Sequence, residues 1–255
     1  MKYYFLLTYL PDIHRDDRKI KVRFGDILAE RDYIGTEDWQ DIELLLLGRD
    51  ILLVERLLSG KEIDIEHTLY DKEYWKEQTK TPKEVPLFLE EFLQTVAIDG
   101  FDIPKSDQLY DIYYSYVIEK ATNPLLRDYF RFERDLKNIL AAIRARRQGL
   151  SPADYIIGKG ELVEQLGLSN AEDFGLGQEL PWIEQLLGTT DPLPLEDTIE
   201  QLIWQYLDEK TVQIYFDFDL LLAYLIKLQL LEKRLALSED QGMKIVRKLA
   251  QSEEL

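Results

Sequence analysis

Cysteine is absent from the 255 residues. That excludes disulfide staples, thiolate nucleophiles and cysteine-held zinc or iron–sulfur centres, and it fits a reducing compartment. Histidine is nearly absent: His14 and His67 fall in predicted loops, outside any H-E-x-x-H run, paired-histidine spacing or Ser/His/Asp arrangement. Long apolar runs are missing as well. The runs 44–47 and 51–54 are separated by Gly48, Arg49 and Asp50, far short of the roughly 20 residues that cross a bilayer. The apolar start, 1–10, is interrupted by Thr8, Pro11 and Asp12 before a signal-peptide core develops. Positive charge is in deficit. The 31 Lys and Arg against 49 Asp and Glu leave a net charge of −18, which repels phosphate backbones and anionic headgroups. Neither nucleic-acid binding nor direct membrane insertion is expected.

Apolar content is ordinary. With 45% hydrophobic and 31% charged residues, the chain can bury enough surface to offset the entropy of ordering. Its periodicity is helical from Thr36 onward, where Trp39, Ile42, Leu46, Leu53 and Leu57 form one stripe and Leu47, Ile51, Val54 and Leu58 a second. Ser59 and Gly60 supply a stop. The charged stretch 61–86 reads as a loop with one short helix near 70–76, followed by a helix carrying Leu89, Phe92, Leu93 and Val96. Ser106 is the expected cap of the next helix. Asn123 followed by Pro124 opens another that ends at Gly149, with Leu125, Tyr129, Phe132, Leu136, Ile139 or Leu140, and Ile143 inward. At about 1.5 Å per residue it is on the order of 36 Å long.

Short helices fill the glycine-rich stretch that follows, 192–195 reads as a linker, and Asp217 or Asp219 opens a long helix. Ser238 separates that helix from a last one carrying Met243, Ile245, Val246 and Leu249. The alternation of Lys19, Lys21 and Arg23 with Ile20, Val22 and Phe24 suggests a strand, and the pairing it allows is an N-terminal β-hairpin with 3–9. Otherwise the fold class is all-α. No low-complexity linker divides the chain, so one helical domain, 1–255, is expected. Long apolar helices centred near Leu47, Leu136 and Leu228 suggest three weak pseudo-repeats, roughly 1–100, 101–190 and 191–255.

Nothing in the residue pattern points to catalysis. Gly158-Lys159-Gly160 lacks the G-x-x-x-x-G-K-[ST] spacing and reads as a turn. Carboxylate pairs such as Glu133 and Asp135 are expected by chance in so acidic a chain, and no Glu-x-x-His spacing accompanies them. The expectation is a protein that is not an enzyme, with no cofactor and no metal site. The informative constellation lies on one helix. Arg127, Arg131, Asp135 and Asn138 share a stripe, with Arg131 spaced to pair with Asp135 and Asn138 placed to bond a neighbouring helix. Between 131 and 147, six basic residues face only two acidic ones. The candidate cluster is Arg131, Glu133, Arg134, Asp135, Asn138, Arg144 and Arg147. It serves either an acidic partner or the helix itself, as a solvated face and an answer to the negative helix end.

The run E-R-D-L-K-N-I-L-A-A-I-R-A-R at 133–146 resembles the helix signature of the C-type stalk component of V/A-type rotary ATPases, known as the d-type component in the eukaryotic complex. Glu133, Asp135, Asn138 and Arg144 match that family's Glu, Asp, Asn and closing arginine. The continuation G-L-S-P-A-D-Y-I-I-G-K-G-E-L at 149–162 is similar too. A second similarity involves Tyr224, Leu225, Lys227, 232–235, Gly242, Ile245, Arg247 and Leu249, although Gln229, Leu231 and Arg234 stand where the family usually has two glutamates and an asparagine. Segments 2–13 and 41–60 resemble a divergent bacterial branch. The resemblance implies an elongated, funnel-shaped helical protein of three pseudo-repeats that sits on the cytoplasmic mouth of the rotor ring. Its implied partners are D- and F-type central-stalk subunits and the ring subunits. Its implied work is torque transmission for proton or sodium transport, without an active site. Such a chain is cytoplasmic and membrane-associated only through its complex. The alternative is a helical scaffold or regulatory interaction module unrelated to ATPases.

Overall fold

The computed structural model describes residues 3–61 and 63–252, with side chains through 238. Among the described residues, eleven α-helices follow in order: α1 (Tyr4–Tyr9), α2 (Phe24–Ala29), α3 (Thr36–Leu58), α4 (Lys72–Gln78), α5 (Leu87–Asp99), α6 (Ile103–Lys120), α7 (Pro124–Arg147), α8 (Glu161–Leu168), α9 (Ile183–Gly188), α10 (Pro192–Thr211) and α11 (Phe218–Ser252). Among the described residues there is no strand, and the fold is all-α. No described helix is long and apolar enough to cross a membrane.

Local chemistry sets the borders of α7. The Asn123 side chain accepts a hydrogen bond from the Leu126 amide, and Pro124 occupies the first turn, where its missing N–H costs nothing. At the other end Gly149 adopts φ +72°. Its amide donates to the Arg146 carbonyl at 2.9 Å while Leu150 donates to Ala145 at 2.8 Å, the paired closure of a Schellman turn. Inward residues Leu125, Tyr129, Leu136, Ile139, Leu140 and Ile143 are buried, whereas Phe132 is half-buried against Trp182.

The chain divides into two compact units. One is Thr36–Leu195; the other joins Met1–Gly35 to Glu196–Leu255. Within the first, α6 packs against α3, α5 and α7, and Leu89, Leu93, Leu109, Val117 and Leu126 are fully buried. Each such leucine contributes about 1.5–3 kcal/mol relative to exposure. Three carboxylates of α3 pin the helices around it. Asp41 accepts from the Thr122 amide and hydroxyl and from the Asn123 amide, at 2.7–3.0 Å. Asp50 accepts from the Leu69 and Tyr70 amides and from the Trp75 indole. Glu55 accepts the hydroxyls of Ser106 and Tyr110. In the second unit, α11 buries Leu221, Leu222, Leu225, Leu228 and Leu231. Its Glu232 accepts from the Phe24 amide at the start of α2, and Arg234 reaches the Asp17 carbonyl. Tyr3 is buried with its ring 5.6 Å from Phe218.

Four sequence expectations are corrected. The β-hairpin does not form: residues 4–9 are helical, and 19–23 run without a partner strand. The alternation there is nevertheless physical, since Ile20 and Val22 turn partly inward while Lys19, Lys21 and Arg23 are exposed. Ser106 is not a cap. The α6 cap is Asp102, which accepts from the Lys105 amide, and Pro104 sits in the first turn. The 192–195 stretch is no linker, because Pro192 and Pro194 fall in the opening turn of α10, where prolines are tolerated. Ser238 does not divide the last segment, since α11 runs unbroken through it and one serine costs a helix only a fraction of a kcal/mol, roughly 0.5. The stripe Met243, Ile245, Val246 and Leu249, like the similarity at Gly242 and Arg247, lies outside the described side chains.

Candidate interaction site

The α6–α7 turn is held from three directions. Asp41 takes its amides, Asn123 closes the first turn of α7, and Arg127 donates Nε and Nη2 to the Ala121 carbonyl at 3.1 and 2.6 Å. Farther along α7, Asn138 is buried. Its amide nitrogen donates to the Ile157 carbonyl and its oxygen accepts the Ile157 N–H, both at 2.8 Å. Spacing alone predicts this bond to a neighbouring helix; it goes instead to the backbone of the 149–160 segment, immediately before Gly158 turns the chain at φ +85°.

These fixtures shape a cleft of about 790 Å³. One wall is α6, with Asp111, Ser115, Ile118 and Glu119; the other is α7, with Arg127, Arg131 and Arg134; Gly158 and Lys159 close it. The spacings i, i+4, i+8 on α6 and i, i+4, i+7 on α7 make each wall a single helical row. The two rows carry opposite charge, yet no ion pair joins them among the described residues. Arg131 pairs with Asp128 on its own helix at 3.2 Å, and Arg134 directs Nε and Nη2 to Asp135 at 3.1 and 2.9 Å. The expected Arg131–Asp135 pair is thus replaced by these two neighbours. Asp135 feels both arginines: burial pushes its carboxyl up from the ordinary carboxylate range, and Arg134 and then Arg131 pull it back. Lys159 is exposed and has no ion pair among the described residues.

The remaining members of the candidate cluster separate. Glu133 lies on the other side of α7, where burial first and the Glu133 charge second push the hydroxyls of Tyr113 and Tyr114 upward. Lys137 stands over the Tyr110 and Tyr114 rings, at 4.6 and 5.1 Å. Arg147 donates to the carbonyls of Leu186, Leu187 and Thr189, closing α9. Arg146, outside the cluster, stacks 3.5 Å over Phe174 and donates to the carbonyls of Ser169, Ala171 and Glu172. Arg144 is exposed. The structure therefore brings Arg131 and Arg134 to the cleft, with Asp135 behind them as the partner of Arg134, and assigns Asn138 and Arg147 to internal bonds. The α6 row and Lys159 were not among the candidates. The only sequence trace of that row is its four-residue spacing, which any helix could carry.

Among the described residues, no three His, Asp or Glu side chains are grouped to hold a metal ion. A family model described as "Protein of unknown function (DUF2764)" matches residues 1–253. No curated protein and no solved structure matches the chain.

Proposed function

This chain belongs to the DUF2764 family, and we propose that it is a non-catalytic central-stalk subunit of a V/A-type rotary ATPase. In this reading it joins D- and F-type stalk subunits to the membrane rotor ring on the cytoplasmic face and passes torque between them during ion transport. The observation that carries the reading is the 133–162 stretch. Its sequence resembles the signature of the C-type stalk component, and its polar residues are arranged as an adapter requires. Asn138 binds the following segment to α7, Arg146 and Arg147 tie down the segments beyond it, and Arg131 and Arg134 stand at an open cleft. Torque transfer needs a body that does not yield between two contacts, and dense helix packing with clamped turns supplies that stiffness. Charge rows left facing solvent supply contacts that choose and orient a partner more than they hold it.

The test is purification of the ATPase from its native cells through a tag on a catalytic-head subunit. This chain should co-purify with the head and stalk in stoichiometric amount. Deleting it should abolish ion-coupled ATP turnover while leaving hydrolysis by the detached head intact. Its absence from the purified complex, together with full coupling in the deletion strain, would sink the reading.

A further inference from the structure

The α6–α7 cleft has a polarity that selects its occupant. A site for a small anion gathers cations around one point, whereas here Arg127, Arg131, Arg134 and Lys159 are opposed by Asp111 and Glu119 across the groove. A row of cations along one helix and a row of acids along the other would normally collapse into interhelical ion pairs. They do not: Arg127 turns to the Ala121 carbonyl at the end of α6, Arg131 and Arg134 turn to Asp128 and Asp135 on α7 itself, Glu119 pairs with Lys120, and Asp111 and Lys159 make no ion pair among the described residues. Guanidinium edges remain available. Arg127 and Arg134 each bind their internal acceptor through Nε and Nη2, leaving Nη1 without a partner among the described residues, and Arg131 commits only Nη1.

From this arrangement we infer that the cleft is a docking groove for a polypeptide segment with two charged edges, carboxylates on the side that meets α7 and cations on the side that meets α6. Taking a polypeptide as the occupant rests on the adapter role proposed above; the two-edged charge rests on the groove alone. The clamps at Asp41 and Asn138 hold the rows in place before the segment arrives, so little ordering is needed on binding. The walls' opposite signs set direction, because a segment entering reversed places like charges against like. Against a molecule of net charge −18, the α7 row is a local attraction, effective within a Debye length of about 8–10 Å.

The experiment uses the full chain and three short, capped, alanine-based helical peptides. One carries glutamates along one edge and lysines along the other, one has the same composition scrambled, and one carries glutamates alone. Fluorescence anisotropy should show the two-edged peptide binding at least about tenfold more tightly than the other two, with the preference shrinking as salt rises. The Arg131→Glu, Lys159→Glu double variant should lose that binding. So should the Asp111→Lys, Glu119→Lys variant, whose changes lie on the opposite wall. Circular dichroism and unfolding midpoints of both variants should match the parent, since Arg131, Glu119 and Lys159 are exposed and the half-buried Asp111 makes no ion pair among the described residues. Equal binding of all three peptides, or loss of binding only in the Arg131→Glu, Lys159→Glu variant with inorganic phosphate competing, would overturn the inference in favour of a one-sided anion site. The outcome is separable from the adapter reading: a chain that co-purifies with the ATPase but shows no peptide preference fails only the groove, and a chain that binds the two-edged peptide but no ATPase subunit fails only the adapter.

Discussion

Asn138 is the residue whose loss should be felt most. Replacing it with leucine leaves the half-buried Ile157 N–H and C=O both without their partner, a cost of about 2–4 kcal/mol. Urea unfolding should register that as a lower midpoint. Arg146→Ala should in turn destabilise more than Asp135→Leu, because Asp135 is bonded to one arginine, whereas Arg146 holds three carbonyls and an aromatic ring. Gly48 is a second sensitive position. A Cβ there would stand 2.8 Å from the hydroxyl of the buried Tyr113. Gly48→Ala should therefore destabilise by about 1–3 kcal/mol, despite the roughly 1 kcal/mol that alanine adds to helix propensity, and thermal unfolding should show a lower midpoint. Asp50 gives a pH signature. Burial pushes its carboxyl above the ordinary range, and three hydrogen bonds oppose that without cancelling it. The folded state then binds the proton more tightly than the unfolded chain, so stability falls as pH rises from the ordinary carboxylate value through the raised folded one. The stability of the native protein relative to Asp50→Asn should be greatest in acid and narrow toward neutral pH.

At the scale of elements, the α6–α7 hairpin is the unit on which the site depends. Asp41→Ala removes three hydrogen bonds at its turn. Hydrogen exchange should then show the Thr122 and Asn123 amides losing protection while the middle of α7 keeps its own. Elements were legible wherever punctuation is local. Asn123-Pro124 and Gly149 delimit α7 because a cap, a fixed φ and a left-handed turn each need only their immediate neighbours. They were illegible where the decision is tertiary. Ser106 looks like a cap, but its hydroxyl is drawn to Glu55, and Asp102, hidden before Ile103-Pro104, takes the role. Residues 3–9 are apolar and short enough to suit either strand or helix, and the helix is what packs, with Leu6 turned inward. The site divides in the same way. Spacing alone puts Arg127 and Arg131 on one stripe of α7, but Arg134 joins them, and the opposing row becomes a wall, only once the hairpin folds α6 alongside.

Over the whole molecule, the three longest described helices are α3, α7 and α11, and they contain Leu47, Leu136 and Leu228, the centres read from apolar periodicity. The division into units was not legible, because it pairs residues far apart in the chain and no change of composition marks it. It has a measurable counterpart in the tryptophans. Trp39, Trp75 and Trp182 lie in Thr36–Leu195, while Trp204 lies in the other unit. Removing residues 1–35 strips the α2 contact from α11 and the Tyr3 ring from Phe218. Trp204 should become accessible to acrylamide quenching, with Trp75, fully buried beside Asp50, remaining protected.

A unit that joins two stretches so distant in the chain also dictates an order of events during synthesis. Residues 1–35 leave the ribosome before the helices they pack with, and they cannot complete their core until α10 and α11 have been translated. The intervening helices meanwhile have all the sequence they need to close on one another. During that wait Tyr3 and Leu6, buried in the finished protein, stay open to solvent, so this early segment is where a chaperone has the longest opportunity to bind.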